Sequence, residues 1–434
     1  MGSTISGPIA ALATCLGSCV GGCIAKGCCA LAGSGNVNNA YAARCVMLWL
    51  QAFTAIVAWL TSATASRWLP GPCAQLPSDL GDLGVCECHS ERDPTVCWKN
   101  QMVYRTEASL VVVLLGLLLM SVSGCAPGAA RAHSVAKFML VLLVILVALF
   151  IPNSWFTVFG TVATSASAIF LAAQSIFVMD FGYGWAELWL SKALAAQRRE
   201  IGQRGKTLWL VAILVSAGLL AVGALVLCVF LYSTTPVASG RIVNLTAMII
   251  SWALLVVSVL DWCEHGSILC STVVMLYTMW LVYESMSVLP DGLGPQCPMW
   301  IGLAICGFSL VAFALGVGRS GASPDQAARL VDAEQGGAAT TEMREGGARE
   351  EEDATAPAPA DSGRDADAED SRQMKGFSLQ CAVHAAAALY ITASMAPQAG
   401  QFTFVSHVVA VFAALFFYGW SLIAPKVLTS RDFS

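Results

Sequence analysis

The stretch "FVMDFGYGWAELWLSKA", residues 177–193, sets two carboxylates, Asp180 and Glu187, at the end of a long apolar run and just ahead of a basic cluster. Carboxylates can act as general acids, as proton or ion sites, or as half of an ion pair, and their surroundings decide which. Near the centre of a bilayer a charge costs roughly 2.5–3.5 kcal/mol even on the lenient insertion scale, so an acid at depth faces protein, water or a partner. Asp180, Gly184 and Glu187 recur at i, i+4 and i+7 and so share one helix face, with Gln174 almost two turns further in. Lys137, on the preceding span, is the cation expected to pair with Asp180. Gln174, Asp180, Glu187 and Lys137 are therefore the expected polar face of a membrane-crossing helix, and Trp185 and Trp189 its interfacial anchors.

No other constellation carries chemistry. The sequence contains no HExxH, no GxSxG, no Gly-rich phosphate loop and no His/Cys cluster with metal spacing. No catalytic residue, cofactor or metal is expected.

The elements that must hold these side chains follow from composition. Of 434 residues, 57% are hydrophobic and 12% charged, where a soluble domain has roughly 25% charged residues. Ten apolar runs are long enough to approach or cross a ~30 Å hydrocarbon core, near 42–65, 103–123, 135–151, 155–190, 207–232, 242–261, 267–287, 299–317, 376–395 and 402–424. Without strand-like alternation, these predict an all-α polytopic membrane protein. The run 154–192 lacks proline, and as one helix it would reach ~58 Å, nearly twice the hydrocarbon thickness. It must tilt or project beyond the membrane.

Basic residues orient the bundle. Lys192, Arg198, Arg199, Arg204 and Lys206 mark one loop as cytoplasmic, which puts both termini and the 318–375 loop inside and the 66–99 loop outside. Cys73, Cys86, Cys88 and Cys97 share that outer loop, where disulfides are favoured over zinc because the spacing lacks two CxxC pairs; four cysteines allow three pairings. At the other end, Gly2 and Ser6 fit a myristoylation pattern, and Cys15, Cys19 and Cys23 recur every four residues. That segment reads either as an acylated anchor or as a small-residue helix packed on its neighbours. Asn244 in "NLT" meets the glycosylation pattern but sits at a span and is expected to be unmodified.

The chain accordingly divides into a Cys/Gly-rich membrane-associated segment, 1–41; the spans within 42–317; an acidic loop, 318–375; and the last two spans with the tail, 376–434. The loop is rich in acids, Ala and Pro and poor in aromatics, and is expected to be disordered.

The motif "DFGYGWAELWLSK", with Asp180, Trp185, Glu187, Trp189 and Lys192, resembles the DFxxxWxExWxxK signature of the serine incorporator family. "FIPNSWF" at 150–156, "VYR" at 103–105, "LYTMWLVYESMS" at 276–287 and "YGWSLIAPKVLTSRDFS" at 418–434 are similar to its other blocks. Tyr283 stands where the family tends to have Trp, and Glu284 is an added acid. The resemblance implies ten spans in two subdomains joined by a long diagonal crossing helix. It also implies ATP-independent handling of phospholipids, by scrambling or binding, linked to phosphatidylserine and sphingolipids, in the plasma membrane or endomembranes. Phospholipids, lipid-synthesising enzymes and a second copy of the chain are the partners to consider, and nucleic acid is not. A non-catalytic scaffold for lipid synthases and a secondary transporter of a polar solute are the alternative functions.

Overall fold

The computed structural model describes residues 40–75, 84–90, 93–123, 134–198, 202–260, 263, 266–289, 299–316, 362–398 and 400–427. Gly2, Cys15, Cys19 and Cys23 lie outside them, as does most of the 318–375 loop. Ten principal helices follow in order: α1 Ala40–Trp68, α2 Pro94–Val122, α3 Ser134–Ala148, α4 Asn153–Arg198, α5 Gly202–Thr234, α6 Ala238–Val259, α7 Ile268–Ser287, α8 Met299–Gly316, α9 Ser362–Met395 and α10 Gln401–Val427. No strand occurs among the described residues. Eight of the helices are long and apolar enough to cross a membrane, while α3 and α8 are shorter. The chain is an all-α polytopic membrane protein.

The helices fall into two groups. α1, α2, α3 and α9 pack together, as do α5, α6, α7 and α10, and α4 packs on members of both. At 46 residues α4 is ~69 Å long, longer than the sequence range 154–192 suggests. α9 also begins earlier than expected, at Ser362, inside the stretch read as disordered. Ala366 and Ala368 in its first turns are strong helix formers. α2 starts conventionally, with Pro94 at its first turn and Asp93 as cap, accepting from Thr95 Oγ1 (2.7 Å) and Val96 N (3.4 Å). The Thr95 hydroxyl and that N–H hold the Asp93 carboxyl below its ordinary range.

The entry to α4 is fixed by a buried arginine. Arg105 of α2 is fully buried, and its Nη1 donates to Ala148 O (2.9 Å) at the end of α3. Its Nη2 donates to Ile151 O (3.0 Å) and to Asn153 Oδ1 (2.7 Å), and the guanidinium lies 4.3 Å from the Phe156 ring centroid. Arg105 thus does not reach the headgroups, as its place near a helix end would suggest. Ala148 O, which also accepts from Ile151 N (3.3 Å), and Ile151 O belong to the turn from α3 into α4, and a planar fork of donors serves both at once.

The loop before α2 closes over the same corner. Disulfides Cys73–Cys86 and Cys88–Cys97 select one of the three pairings open to the sequence. They tether the 3₁₀ turn Gly84–Ser90, whose Val85 N donates to Leu149 O (3.2 Å) and whose Glu87 Oε2 accepts from Asn153 N (2.9 Å). Gly84 has φ +66°, and a Cβ there would meet Leu149 O at 2.1 Å, so only glycine fits.

Removing Arg105 takes away the donor that Ala148 O, Ile151 O and Asn153 Oδ1 share at the α3–α4 corner and leaves Asn153 Oδ1 buried without it. Arg105→Leu is expected to lower stability by about 3–5 kcal/mol in detergent thermal unfolding. Arg105→Lys should recover little of it, because an ammonium cannot serve three acceptors in a fork; recovery by lysine would show that charge alone matters.

Candidate functional site

Residues read from the sequence as one polar face occupy two. Gln174 is fully buried, donating through Nε2 to Ser309 Oγ of α8 (2.9 Å) and accepting at Oε1 from Tyr277 OH of α7 (3.0 Å). Asp180 and Glu187 are exposed. Six residues turn a helix by about 600°, leaving Gln174 and Asp180 ~120° apart around α4. The inward side holds neighbouring helices and the outward side meets the surroundings.

Nor does Lys137 meet Asp180. α3 packs on α1 and α2, and Lys137 is buried with Nζ 5.4 Å from the ring centroid of Phe377 on α9. Trp185 and Trp189 belong to an aromatic ladder running from α8 to α5. Phe308 and Phe181 are 4.7 Å apart, Phe181 and Trp185 5.7 Å, Trp185 and Trp189 5.4 Å, and Trp189 and Trp209 5.9 Å. Lys192 closes it, with Nζ 5.5 Å from the Trp209 ring centroid. Trp189 is buried within this ladder.

The inward side of α4 braces α8. Besides Gln174–Ser309 and Phe181–Phe308, Phe177 stacks on Phe313 at 4.9 Å. Away from α4, α8 faces α1 across an apolar groove of about 490 Å³, within the ~300–1,000 Å³ of ligand sites. Leu48, Ala52 and Ala55 of α1, Leu303 and Gly307 of α8, and Ile391 of α9 line it. At one end Arg44 Nη1 donates to Ala314 O (3.3 Å), a terminal carbonyl of α8. At the other, Trp59 and Trp300 meet edge to face at 5.2 Å. From Arg44 to Trp59 is fifteen residues of α1, ~22 Å, most of a hydrocarbon core.

Two polar features interrupt this apolar lining. Gln51 of α1 is 3% exposed and lines the groove at mid-length, and neither its amide nitrogen nor its oxygen has a hydrogen-bond partner. Cys306 of α8 also lines the groove, and the Glu107 carboxylate of α2 interacts with it electrostatically. Glu107 is fully buried with both oxygens unpartnered. A buried unsatisfied amide costs about 1–3 kcal/mol, so Gln51 is held at a cost the fold alone does not explain. The sequence reading passed over it, although a lone Gln inside "LWLQAFTAIVAWL" is a visible signal.

Glu284, singled out as an added acid, accepts at Oε1 from Tyr390 OH (3.1 Å) in a site roomy only because Gly302 lacks a side chain: a Cβ there would lie 2.7 Å from the phenol oxygen. His407 Nε2 lies 2.8 Å from Ser167 Oγ and 3.2 Å from Thr164 O. Asn244, inside α6, is buried and donates to Cys228 O (2.8 Å). No group of three metal-ligating side chains occurs among the described residues.

Comparison with known proteins gives this architecture a context. A family model described as "Serine incorporator (Serinc)" matches residues 17–431. The chain is 24% identical over 268 residues to a "Probable serine incorporator" of Dictyostelium discoideum, covering 59% of this chain and 60% of that relative, less than two thirds of its length. It is 24% identical over 432 residues to "Serine incorporator 3" of Bos taurus, covering 86% and 87% of the two chains. It is also 28% identical over 177 residues to "Serine incorporator 2" of Homo sapiens, covering 38% and 37%.

The separation of Asp180 from Lys137 predicts unequal effects. Asp180→Ala should change stability by less than ~0.5 kcal/mol, while Lys137→Ala, which removes a buried stem and its contact with the Phe377 ring, should cost about 1–2 kcal/mol. The exchange Asp180→Lys with Lys137→Asp should recover nothing in thermal unfolding; recovery would place the two side chains in contact.

Proposed function

Because the chain belongs to the serine incorporator family, we propose that it handles phospholipids within the membrane, passing or holding them without nucleotide and without covalent chemistry. The observation that carries this reading is the α1/α8 groove, apolar along most of its length and interrupted by the unpaired Gln51 amide. Moving a phospholipid between leaflets is slow because its headgroup must leave water. An amide that makes no hydrogen bond within the protein can turn into the groove by a rotamer change and offer that headgroup a hydrogen-bonding station partway, while the chains stay against Leu, Ala and Ile. The family name supports serine-derived lipids, phosphatidylserine and sphingolipids, as the lipids concerned. The lipids lie in the plasma membrane or endomembranes, with both termini of the protein cytoplasmic.

The crossing helix serves this function at one remove. Gln174, Phe177 and Phe181 hold the back of α8, whose other side forms a wall of the groove. Scaffolding of lipid-synthesising enzymes is compatible with the same fold and predicts increased serine incorporation in cells with no lipid exchange by the purified protein. One observation favours a gradient-driven transporter, the half-buried Glu284 bonded to Tyr390, since an intramembrane acid can serve as an ion site. Solute uptake that requires an imposed gradient and is lost in Glu284→Gln would support it.

Purified protein in liposomes is expected to equilibrate fluorescent phospholipid between leaflets without ATP, and kinetics equal to empty liposomes would reject the reading. Gln51→Leu should slow exchange about fivefold, the value of one hydrogen bond near 1 kcal/mol, without lowering the melting temperature, because it removes an unsatisfied buried amide. Ala55→Trp should fill the groove and block exchange. Undiminished exchange in both variants would move the lipid path elsewhere.

A further inference from the structure

The space beside α1 continues past the Trp59 end of the apolar groove. On the far side of that ring a second chamber of about 360 Å³ opens, lined by Ser62 and Ser66 of α1 and by Thr95 and Lys99 of α2. The two spaces share Trp59 and Met395, so the indole forms the boundary between an apolar groove and a hydroxyl- and ammonium-lined chamber. This is the division an amphiphile requires, and Trp suits such a boundary because its ring is apolar and its N–H polar.

The chamber's hydrogen-bonding groups are unequally engaged. Ser62 Oγ donates to Trp59 O (2.9 Å) and Thr95 Oγ1 to Asp93 Oδ1 (2.7 Å), so both protons are occupied within the protein. Ser66 and Lys99 are exposed, and among the described residues no carboxylate pairs with the ammonium. An ammonium and a hydroxyl available at the edge of an apolar groove suit the phosphate of a lipid, for which charge-assisted hydrogen bonds are the strong recognition element. Cys97, two residues before Lys99, is disulfide-bonded to Cys88, so the chamber stands on the disulfide-bearing side of the bundle.

We propose that this chamber binds the phosphate of a phospholipid headgroup, with Lys99 as its counter-ion, while an acyl chain of the same lipid lies in the α1/α8 groove. This deepens the lipid-handling reading on which it rests, naming the class taken up as diacyl phospholipids rather than uncharged diacyl lipids. Lys99 is a positioning residue that seats the headgroup beside the groove, and Trp59 lies where glycerol would sit.

The test measures binding rather than movement. Full-length protein in detergent micelles is titrated with phosphatidylserine bearing brominated chains, which quench tryptophan fluorescence at the groove, and with brominated diacylglycerol. Lys99→Glu is expected to weaken phosphatidylserine about three- to tenfold, the range for losing one partly exposed charge-assisted contact, and to leave diacylglycerol unchanged. Lys99→Arg should keep wild-type binding, which separates charge from fold. Equal loss for both lipids, or loss for neither, overturns the proposal. Displacement of the lipid by millimolar inorganic phosphate alone also overturns it, marking a site for free phosphate. If the wild type exchanges no lipid in liposomes but keeps Lys99-dependent quenching, the transport reading fails and this site stands. If it exchanges lipid without that dependence, transport stands and this site fails.

Discussion

A helix of 46 residues that leaves one helix group and runs against another must be aimed at its first turn, and here the aim is set by a single buried guanidinium. Arg105 joins Ala148 O, Ile151 O and Asn153 Oδ1, so the end of α3 and the start of α4 share one donor fork. A charge in so dry a place needs compensation, and the tethered turn brings Glu87, which interacts electrostatically with Arg105 and caps Asn153 N. The two disulfides hold that turn, so oxidation of the loop, the corner and the course of α4 form one dependency. Displacing this corner would carry the error along some 69 Å of helix.

From that corner α4 joins its neighbours by polar contacts in successive layers, exposed at Thr161 and buried from Ser167 onward. Gln398 bridges Tyr104 OH (3.0 Å) and Thr161 Oγ1 (2.8 Å) near its start; Ser167 meets His407 further along; Gln174 then joins Ser309 and Tyr277. Each contact joins α4 to a different neighbour, and each fixes register more tightly than interchangeable Leu and Ala packing could. Buried polar groups satisfied in this way specify an arrangement while adding little net stability.

Much of this was legible in the chain. Apolar run lengths gave the helices; the absence of proline after Pro152 gave the crossing helix; four cysteines in one short loop gave disulfides; and the signature around Asp180 gave the family. What failed was direction. Periodicity places Asp180 and Glu187 together, but only the neighbours say that their side faces outward and that Gln174 faces in. Arg105 near a helix end is as compatible with snorkelling as with burial, and the corner it clamps exists only once α3 and α4 are placed. The groove is a property of two helices separated by more than two hundred residues, and no local pattern reports the space between them.

The division of labour between satisfied and unsatisfied groups locates function more sharply than the signature motif does. Along α4 the inward polar side chains named above find partners, which is what a structural axis requires. On α1, Gln51 finds none, although Thr54, three residues on, donates its hydroxyl to Gln51 O (3.0 Å) within the helix. A sequence free to optimise stability would place Leu at position 51, since apolar filling of such a site removes an unpaired amide and adds contact area. That it carries Gln beside a groove walled by α8, which the signature region braces from behind, connects the two observations. The residues that identify the family hold the wall, and the residue that breaks the local rule faces the space the wall encloses.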